Sequence, residues 1–296
     1  MFDWVEQRTI FKCISGSHAY GLDSPTSDSD LRGVAIPPKE FYYGLHNFEQ
    51  QITEIPDITI YSLKKYVQLL RDCNPNIVDL CFIDRSEHIL FENEYWKQLK
   101  NNRHLFLSKR AKFTYSGYAI SQIKRIKRHK VWIGEPQAKP IPEKYLKRIE
   151  QNMFDIDVSK LDSNSYYFDK NAYENAKKKY EQYEYWKENR NKQRAELEEK
   201  YNFDTKHAMH CCRLMIMGIE ILKYGEVKVY RDKDRNFLLD IRNGKYSYEE
   251  VLQMADDYDN QLNELYEKSE LPHSPDDKAI DKLLVEITDS FLSEFV

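Results

Sequence analysis

Glycine is scarce in this chain and is concentrated near its start, which limits the folds that the chain can adopt. Four of the nine glycines lie within the first 44 residues, at Gly16, Gly21, Gly33 and Gly44. Glycine is used where a backbone turns sharply or comes close to a ligand. The same region contains the clearest strand patterns, at residues 9–15, 31–36 and 57–61. The sequence therefore predicts a domain of strands and tight turns at the start of the chain.

Helical spacing dominates after about residue 86. Ser62 is a suitable N-cap for a helix that begins at Leu63, and the apolar run at residues 76–83, after Asn74-Pro75, is predicted to form a short buried strand. Further helices are predicted at residues 94–130 with two breaks, 170–201, 205–224 and about 276–295, with a long loop at 131–165. We expect an α+β fold, with a small domain of strands and helices at residues 1–90 and a mostly helical domain at residues 91–296.

Composition excludes several classes of protein. A length of 296 residues suits roughly two domains. The net charge of −4 excludes a globally basic nucleic-acid coat, although a basic face remains possible. Five cysteines, two of them adjacent at Cys211 and Cys212, do not suit a secreted disulfide framework. The sequence contains no signal peptide and no apolar run of about 20 residues. We therefore expect a soluble, cytoplasmic protein without membrane contact.

The segment from Gly16 to Asp30 contains the residues best suited to chemistry. Gly16 and Ser17 follow a predicted strand, where backbone N–H groups and a hydroxyl can bind phosphate oxygens. Asp28 and Asp30 are one residue apart, which on a strand places both carboxylates on the same face. Two like charges at this distance raise the cost of ionisation unless a cation lies between them. A hard divalent cation with oxygen ligands, such as Mg²⁺, meets this requirement.

Asp57 is the candidate for a third carboxylate, since it opens the third predicted strand. Three carboxylates can hold two metal ions about 3.5–4 Å apart for in-line phosphoryl transfer. The alternatives are that the D-x-D pattern is an ordinary turn motif, that Asp57 is a strand-edge acid, or that Glu54 or Asp79 takes the third position. Arg32 shares the face of the aspartates and either neutralises a phosphate or pairs with a carboxylate.

Residues 205–224 form a helix with an apolar stripe and, on the opposite side, the polar residues Lys206, His210 and Arg213. His207 lies at the border between the two faces. Three hypotheses remain open for this group. The side chains bind the phosphates of a nucleotide or nucleic acid, His207 and His210 bind a transition metal, or the face is merely solvated.

Residues 109–130 contain many cations, interleaved aromatic residues and no acid. This composition suits RNA, because the cations neutralise the backbone and the rings stack on bases. The candidate RNA contacts are Lys124, Arg125, Lys127, Arg128 and His207. Arg190 is expected to extend the polar surface formed by residues 205–224. The alternative is a solvated helix with a buried aromatic stripe.

The motif Gly16-Ser17 followed by Asp28-Ser29-Asp30 resembles the signature of the DNA polymerase β-like nucleotidyltransferase superfamily. The stretch GSHAYGLDSPTSDSDLRGVAIPP looks like that of the RlaP-type predicted nucleotidyltransferases, a bacterial and phage family associated with RNA repair. Three later stretches are also similar to this family: DITIYSLKKYVQLLRDCNPN, NRNKQRAELEEKYNFDTKHAMHCCRLM and RNGKYSYEE.

The resemblance implies a mixed β-sheet with flanking helices and a metal-dependent transfer reaction. Asp28 and Asp30 would bind Mg²⁺ or Mn²⁺, two ions in all, and Asp57 fits the third acid, a general base for the attacking hydroxyl. Ser17 would hold the triphosphate. Lys206, His207, His210 and Arg213 lie in a signature block of the family, which favours contact with phosphate or nucleic acid.

The function expected from this resemblance is transfer of a nucleoside monophosphate from an NTP to an acceptor hydroxyl, with release of pyrophosphate. The expected acceptor is RNA, either a tRNA end or a repair intermediate. One alternative is an antitoxin-like transferase that moves AMP to a protein hydroxyl. Another is a non-catalytic RNA-binding regulator that keeps the fold. A small-molecule acceptor such as an aminoglycoside is disfavoured by the basic and aromatic segment.

Overall fold

The computed structural model describes residues 3–25, 27–54, 57–148 and 166–294. By backbone contacts the chain divides into two compact units. The first unit contains the described residues up to Lys124 and again from Thr205 onward, and the second contains those of Arg125–Asp204. The domain boundary predicted near residue 90 stays a prediction. The two units are defined by backbone contacts, and the first of them contains residues from both predicted domains.

A five-stranded sheet lies in the first unit, with strand order β3-β4-β2-β1-β5. Its strands are β1 (Thr9–Ser15), β2 (Asp30–Ala35), β3 (Gln50–Thr53), β4 (Ile58–Ser62) and β5 (Ile89–Glu92). The pair β2 and β4 is parallel and the other pairs are antiparallel, so the expected mixed sheet is confirmed. The sequence did not predict β3 and β5, since both are short edge strands of only 4 residues.

Strand β1 lies between β2 and β5, and Phe11, Cys13 and Ser15 on one of its faces are buried. Phe11 stacks on Trp96, with ring centroids 3.8 Å apart. Trp96 lies on α5 (Glu94–Asn101), which packs near α3 (Leu63–Arg71) through Tyr66. The predicted N-cap of α3 is confirmed, since Ser62 Oγ accepts a hydrogen bond from the N–H of Lys65 at 3.1 Å. These contacts hold β1 against α5, and α5 against α3.

The prediction of a strand at residues 76–83 is wrong. The segment forms helix α4 (Pro75–Cys81) instead. Asn74 caps this helix by accepting a hydrogen bond from the N–H of Asn76 at 3.1 Å, and Pro75 occupies the first helical position, where its fixed φ is favourable. A short apolar run does not distinguish a buried strand from a buried helix, and here the cap decides.

The remaining helices of the first unit surround the sheet and one another. They are α1 (Gly16–Tyr20), α2 (Glu40–Tyr43), α9 (Thr205–Tyr224), α10 (Arg235–Arg242), α11 (Tyr248–Lys268) and α12 (Asp277–Glu294). The predicted helix at 205–224 is confirmed as α9, and Gly225 follows it with the left-handed φ of +64°. Two helices that the sequence did not predict, α10 and α11, pack against α9.

Helix α6 (Arg110–Gly134) begins in the first unit and continues into the second. The second unit also contains a hairpin of β6 (Leu146–Arg148) and β7 (Tyr166–Phe168), and helices α7 (Lys170–Glu188) and α8 (Lys192–Tyr201). The loop predicted at 131–165 is therefore wrong at 131–134 and 146–148, and its part at 149–165 lies outside the described residues. Nowhere in the described ranges is a helix both long and apolar enough to cross a membrane.

Candidate active site at the start of strands β2 and β4

The turn between β1 and α1 requires glycine. Gly16 has a φ of +67°, in the left-handed region that other residues avoid. A Cβ atom at this position would also overlap Oδ2 of Asp30. Ser15, the last residue of β1, lies opposite Asp30 in the sheet register, and its hydroxyl donates to the Asp30 carbonyl at 3.1 Å. The Asp30 carboxyl therefore lies directly over the turn that leads to Ser17.

Asp30 and Asp57 are brought together by the parallel pairing of β2 and β4. Parallel neighbours begin at the same edge of a sheet, and the N–H of Leu31 donates to the Asp57 carbonyl at 2.9 Å. The two carboxyl groups lie close enough for each to influence the pKa of the other. Burial raises the pKa of Asp30, and the carboxyl of Asp57 raises it further. One proton shared between two carboxyl groups is the state expected of a like-charge pair without a cation.

Arg32 pairs with a carboxylate, which is one of the two alternatives that the sequence left open. Its Nη1 and Nη2 donate to Oδ1 and Oδ2 of Asp57 at 3.0 Å and 3.2 Å. This two-pronged hydrogen bond lowers the pKa of Asp57. The Asp57 side chain is 43% exposed, so the pair is open to solvent.

Asp28 lies close to this pair but not on the strand. The sequence placed Asp28 and Asp30 on one strand face, and this prediction is wrong, because β2 begins only at Asp30. The reason is that β1, its partner, ends at Ser15 where the chain turns at Gly16. Asp28 is exposed, and its charge contributes to the raised pKa of Asp30. We call Asp28, Asp30, Asp57 and Arg32 the carboxylate site.

The oxygen donors of the carboxylate site suit a hard divalent ion. Asp30 is only half-buried, and Asp28 and Asp57 reach solvent. A cation bound between Asp30 and Asp57 would offset the repulsion of their charges, and Asp28 would be available as a further ligand. Among the described residues, only one group of three possible metal ligands has its ligand atoms within 4.8 Å of one another. The three carboxylates of the site are not that group, so they lie further apart than a compact ligand set.

That one group is His129, Glu198 and Asp204 in the second unit. Arginines already occupy its carboxylates, since Arg190 pairs with Glu198, and Arg194 Nη1 lies 3.2 Å from Asp204 Oδ2. Burial raises the pKa of Glu198, but hydrogen bonds from His129 and Arg190 outweigh it and lower the pKa overall. Since the two carboxylates are neutralised by two guanidinium groups, the cluster is an ion-pair network rather than a metal site.

Arg190, which the sequence predicted to contact RNA, is part of this ion-pair network. Its guanidinium lies 5.0 Å above the Trp186 ring as well as beside Glu198. The other predicted RNA contacts on α6 are arranged differently. Ile123 and Ile126 are buried, whereas the four cations around them face solvent: Lys124, Arg125, Lys127 and Arg128. RNA binding by these side chains stays a prediction.

The polar residues of α9 divide into two pairs. Lys206 and His210 are partly exposed, whereas His207 and Arg213 are only 3% and 4% exposed. The Arg213 guanidinium lies 3.6 Å above the Tyr20 ring, and its Nη1 is 3.7 Å from Asp79 Oδ2. A side chain enclosed in this way does not reach a bound nucleotide, so we leave Arg213 out of the nucleotide site.

Asp79, one of the alternatives for the third acid, is interior as well. It is 4% exposed and accepts a hydrogen bond from the Tyr20 hydroxyl. Burial raises the pKa of Asp79, against the opposing effect of Arg213. We call Tyr20, Asp79 and Arg213 the buried cluster. It joins α1, α4 and α9, and Asp79 is therefore engaged in the interior and is not the third acid of the carboxylate site.

The sequence missed two arginines that contact the segment between α1 and β2. Arg235 Nε donates to the Gly21 carbonyl at 2.5 Å, and Arg242 Nη1 donates to the Leu22 carbonyl at 2.6 Å. Both lie on α10, more than 200 residues further along the chain. The only sequence signal was that Arg242 begins the stretch RNGKYSYEE.

Comparison with known proteins shows what the region that contains the site resembles. A family model for the RNA repair pathway DNA polymerase beta family matches residues 3–140. This part of the chain is similar to that family. The match includes Gly16-Ser17 and all three aspartates of the carboxylate site, and it places the fold among the polymerase β-like nucleotidyltransferases.

Two other proteins resemble the chain. An uncharacterized 38.9 kDa protein from the nrdC–mobD intergenic region of Enterobacteria phage T4 is 24% identical, over 86% of this chain and 88% of its own length. The uncharacterized protein YcgL of Bacillus subtilis strain 168 is 30% identical over 76 residues, which are 24% of this chain and 29% of that protein. No solved structure matches significantly. The phage protein shows that the similarity continues well past residue 140.

Proposed function

We propose that this protein is a metal-dependent nucleotidyltransferase that moves a nucleoside monophosphate from an NTP to a hydroxyl group of RNA and releases pyrophosphate. The observation that carries the proposal is the meeting of the Asp30 and Asp57 carboxyls at the start of two parallel strands, over the Gly16 turn. The similarity of residues 3–140 to a polymerase β-like family supports the same reaction class.

Each residue of the carboxylate site has a role in this reaction. Asp28, Asp30 and Asp57 would hold two Mg²⁺ or Mn²⁺ ions, which neutralise charge on the phosphates. The acceptor oxygen attacks the α-phosphorus, the bond from that phosphorus to the pyrophosphate oxygen breaks, and Asp57 takes the acceptor's proton. The hydrogen bonds from Arg32 lower the pKa of Asp57 and keep it ionised, and Asp57 can accept a proton more readily once Arg32 turns to a phosphate. Ser17 and the Gly16 turn bind the triphosphate.

Arg32 contributes the nearest positive charge. Its pairing with Asp57 is exposed enough to be exchanged, since the two side chains are 23% and 43% exposed. When metal ions neutralise Asp57, the guanidinium becomes available to a phosphate oxygen. Lys206 and His210, which are partly exposed on α9, are proposed as further phosphate contacts.

RNA is the acceptor that the surface favours. Lys124, Arg125, Lys127 and Arg128 are exposed on α6, and Phe113, nearer the start of the same helix, is 56% exposed. Cations with aromatic side chains suit an RNA strand. The family description, which refers to an RNA repair pathway, points to the same class of acceptor.

The test is an incubation of the protein with each labelled NTP, Mg²⁺ and either total RNA or cell lysate. We expect label in RNA, and we expect Asp28→Ala and Asp30→Ala to abolish it without loss of the fold. Asp257→Asn, an exposed acid on α11, is the matched control and should transfer normally. Retained activity in either alanine variant would reject the metal assignment.

Two other outcomes decide between the alternatives. Label in protein rather than RNA favours an AMP transferase that acts on protein hydroxyls. Tight RNA binding without binding of Mg²⁺-NTP, as measured by calorimetry, favours a non-catalytic regulator.

A further inference from the structure

The segment between α1 and β2 contains Asp28 but forms neither strand nor helix. Its described part, residues 22–25 and 27–29, is here called the metal loop. Ser24 and Ser27 close a turn within it, because the N–H of Ser24 donates to Ser27 Oγ and the N–H of Ser27 donates to the Ser24 carbonyl, both at 2.9 Å. The two hydroxyls are also 3.0 Å apart. This turn immediately precedes Asp28 and sets where the chain presents it.

Arg242, at the end of α10, holds this turn from outside. Its Nη1 donates to the Leu22 carbonyl at 2.6 Å and its Nη2 donates to Ser24 Oγ at 3.2 Å. The backbone of Arg242 is itself fixed, since its carbonyl accepts a hydrogen bond from the fully buried Thr205 at 2.7 Å. A continuous chain of hydrogen bonds thus leads from α10 through Ser24 to Ser27, the residue before Asp28.

The charge of Arg242 is not needed for these contacts alone. Its guanidinium is partly buried, and its hydrogen bonds go to a carbonyl and a hydroxyl rather than to a carboxylate. Burial lowers the pKa of Arg242, although Asp23 opposes this effect. A cation that loses water without a carboxylate in contact is unfavourable by itself. The hydrogen bonds to Leu22 and Ser24 are therefore the contacts that hold the guanidinium in place.

We propose that Arg242 is a positioning residue for metal binding: through Leu22 and Ser24 it holds the metal loop so that Asp28 meets Asp30 and Asp57 around a divalent ion. This inference rests on the proposed function, because it assigns a new residue to the same site. Arg235 provides an internal comparison on the same helix. Its guanidinium donates to the Gly21 carbonyl, just after α1, and among the described residues it makes no hydrogen bond to Ser24 or Ser27.

The experiment measures Mn²⁺ binding by titration calorimetry, with the full-length protein and a non-hydrolysable NTP. Arg242→Met should weaken Mn²⁺ binding roughly 10–100-fold, as loss of a group that orients a metal ligand typically does. Arg242→Lys keeps the charge but not both hydrogen bonds, so its Mn²⁺ affinity should lie between those of the wild type and Arg242→Met. Lys245→Met is the matched control, because Lys245 is an exposed cation three residues away that pairs with Asp240 and should leave binding unchanged.

Ser24→Ala tests the route. It should weaken Mn²⁺ binding, and its effect should not add to that of Arg242→Met, because both changes break the same chain of contacts. In the transfer assay, Arg242→Met should raise the Mg²⁺ concentration needed for half-maximal rate, while the rate at saturating Mg²⁺ stays near that of the wild type. A merely structural role would lower the thermal midpoint without this split.

The outcomes separate the two proposals. If the wild-type protein binds Mn²⁺ and both Arg242→Met and Ser24→Ala bind it with the same affinity, Arg242 has no positioning role. That result would leave the proposed function standing. If Arg242→Met fails to fold, Arg242→Lys and Ser24→Ala give the same decision. Absence of Mn²⁺-nucleotide binding in the wild-type protein overturns the proposed function and this inference with it.

Discussion

The carboxylate site and the buried cluster are both built around aspartates, yet their surroundings are opposite. Asp30 and Asp57 face each other as like charges and remain open to solvent. Asp79 is enclosed with a tyrosine hydroxyl and a guanidinium, and none of these three side chains is more than 6% exposed. Burial raises the pKa of both Asp30 and Asp79, so the shift alone does not separate them.

What separates the two clusters is the identity of the partner. An acid whose nearest neighbour is another acid lacks a counter-charge, and an external cation can supply it. An acid that already contacts a tyrosine and an arginine has its partners within the fold. The difference predicts that changes at the first cluster affect transfer and that changes at the second affect stability.

Among the variants that compare the two clusters, the largest effect is expected for Asp57→Asn. Removal of this carboxylate takes away a metal ligand and the proposed base, and metal stabilisation of the transition state is worth several kcal/mol. We expect a loss of roughly 10³-fold in the rate of transfer, equivalent to about 4 kcal/mol. Single-turnover assays at saturating Mg²⁺ measure it. Asp79→Asn, the paired variant in the buried cluster, should remain within about tenfold of the wild-type rate; a larger loss with an intact fold would erase the contrast.

The second effect concerns stability. Asp79→Ala leaves the Arg213 guanidinium buried without its carboxylate, and a guanidinium cannot release its proton. We expect the free energy of unfolding to fall by about 3–5 kcal/mol, as measured by urea denaturation. An Asp57→Asn variant studied in parallel should lose far less, because its partner Arg32 can turn to solvent. Equal losses in the two variants would contradict the distinction between an open and an enclosed ion pair.

The third prediction uses an asymmetry within the buried cluster. Arg213→Met leaves Asp79 without its cation, but a carboxyl can take up a proton, so the expected loss is smaller, about 1–3 kcal/mol. Since burial raises the pKa of Asp79 in the folded state, the cost of ionisation applies at neutral pH and disappears as the pH falls through that pKa. Unfolding of Arg213→Met should therefore approach the wild type on acidification, whereas Asp79→Ala, which has no carboxyl to protonate, should not.

How far the sequence predicts these clusters depends on the distance along the chain. The spacing of glycine, serine and aspartates suggested a common site for Gly16 and Asp30, whereas Asp57 was expected there from the family resemblance, with Glu54 and Asp79 left open as alternatives. Asp28 was wrongly predicted to lie on β2, which begins two residues later at Asp30. The pairing of β1 with β2 ends at Ser15 and Asp30, and the sequence alone does not show this end. The partners of a side chain in three dimensions are harder to predict than its position along the chain.

Helix α9 illustrates that limit. Helical periodicity correctly grouped Lys206, His210 and Arg213 on one side, but it does not tell how deep each side chain lies. Arg213 is interior because α1 and α4 cover it with Tyr20 and Asp79, which precede it by more than 130 residues. Arg242 was missed for the same reason, since its contact with Leu22 spans 220 residues. Local patterns predict elements, and long-range packing assigns their roles.

The smallest predicted effect is a gain in stability at the carboxylate site. Without metal, an ionised Asp30 is unfavourable beside Asp57, so Asp30→Asn should stabilise the protein in EDTA at neutral pH. Because Asp30 is only half-buried, solvent screening keeps the gain near or below about 1 kcal/mol, or roughly 2–4 °C in thermal midpoint. The folded-state pKa of Asp30 is raised, so the gain should vanish as acidification protonates the wild-type carboxyl.

Added Mg²⁺ should reverse that order. A ligand that binds only the folded wild-type protein raises its stability by mass action, and Asp30→Asn, which lacks a metal ligand, should not respond. Differential scanning calorimetry with EDTA or Mg²⁺ at two pH values measures all four conditions, with Asp257→Asn as the control for loss of an exposed acid. If Asp30→Asn is less stable than the wild type in EDTA, Asp30 is stabilised by its surroundings as Asp79 is, and the distinction between the two clusters fails at its most sensitive point.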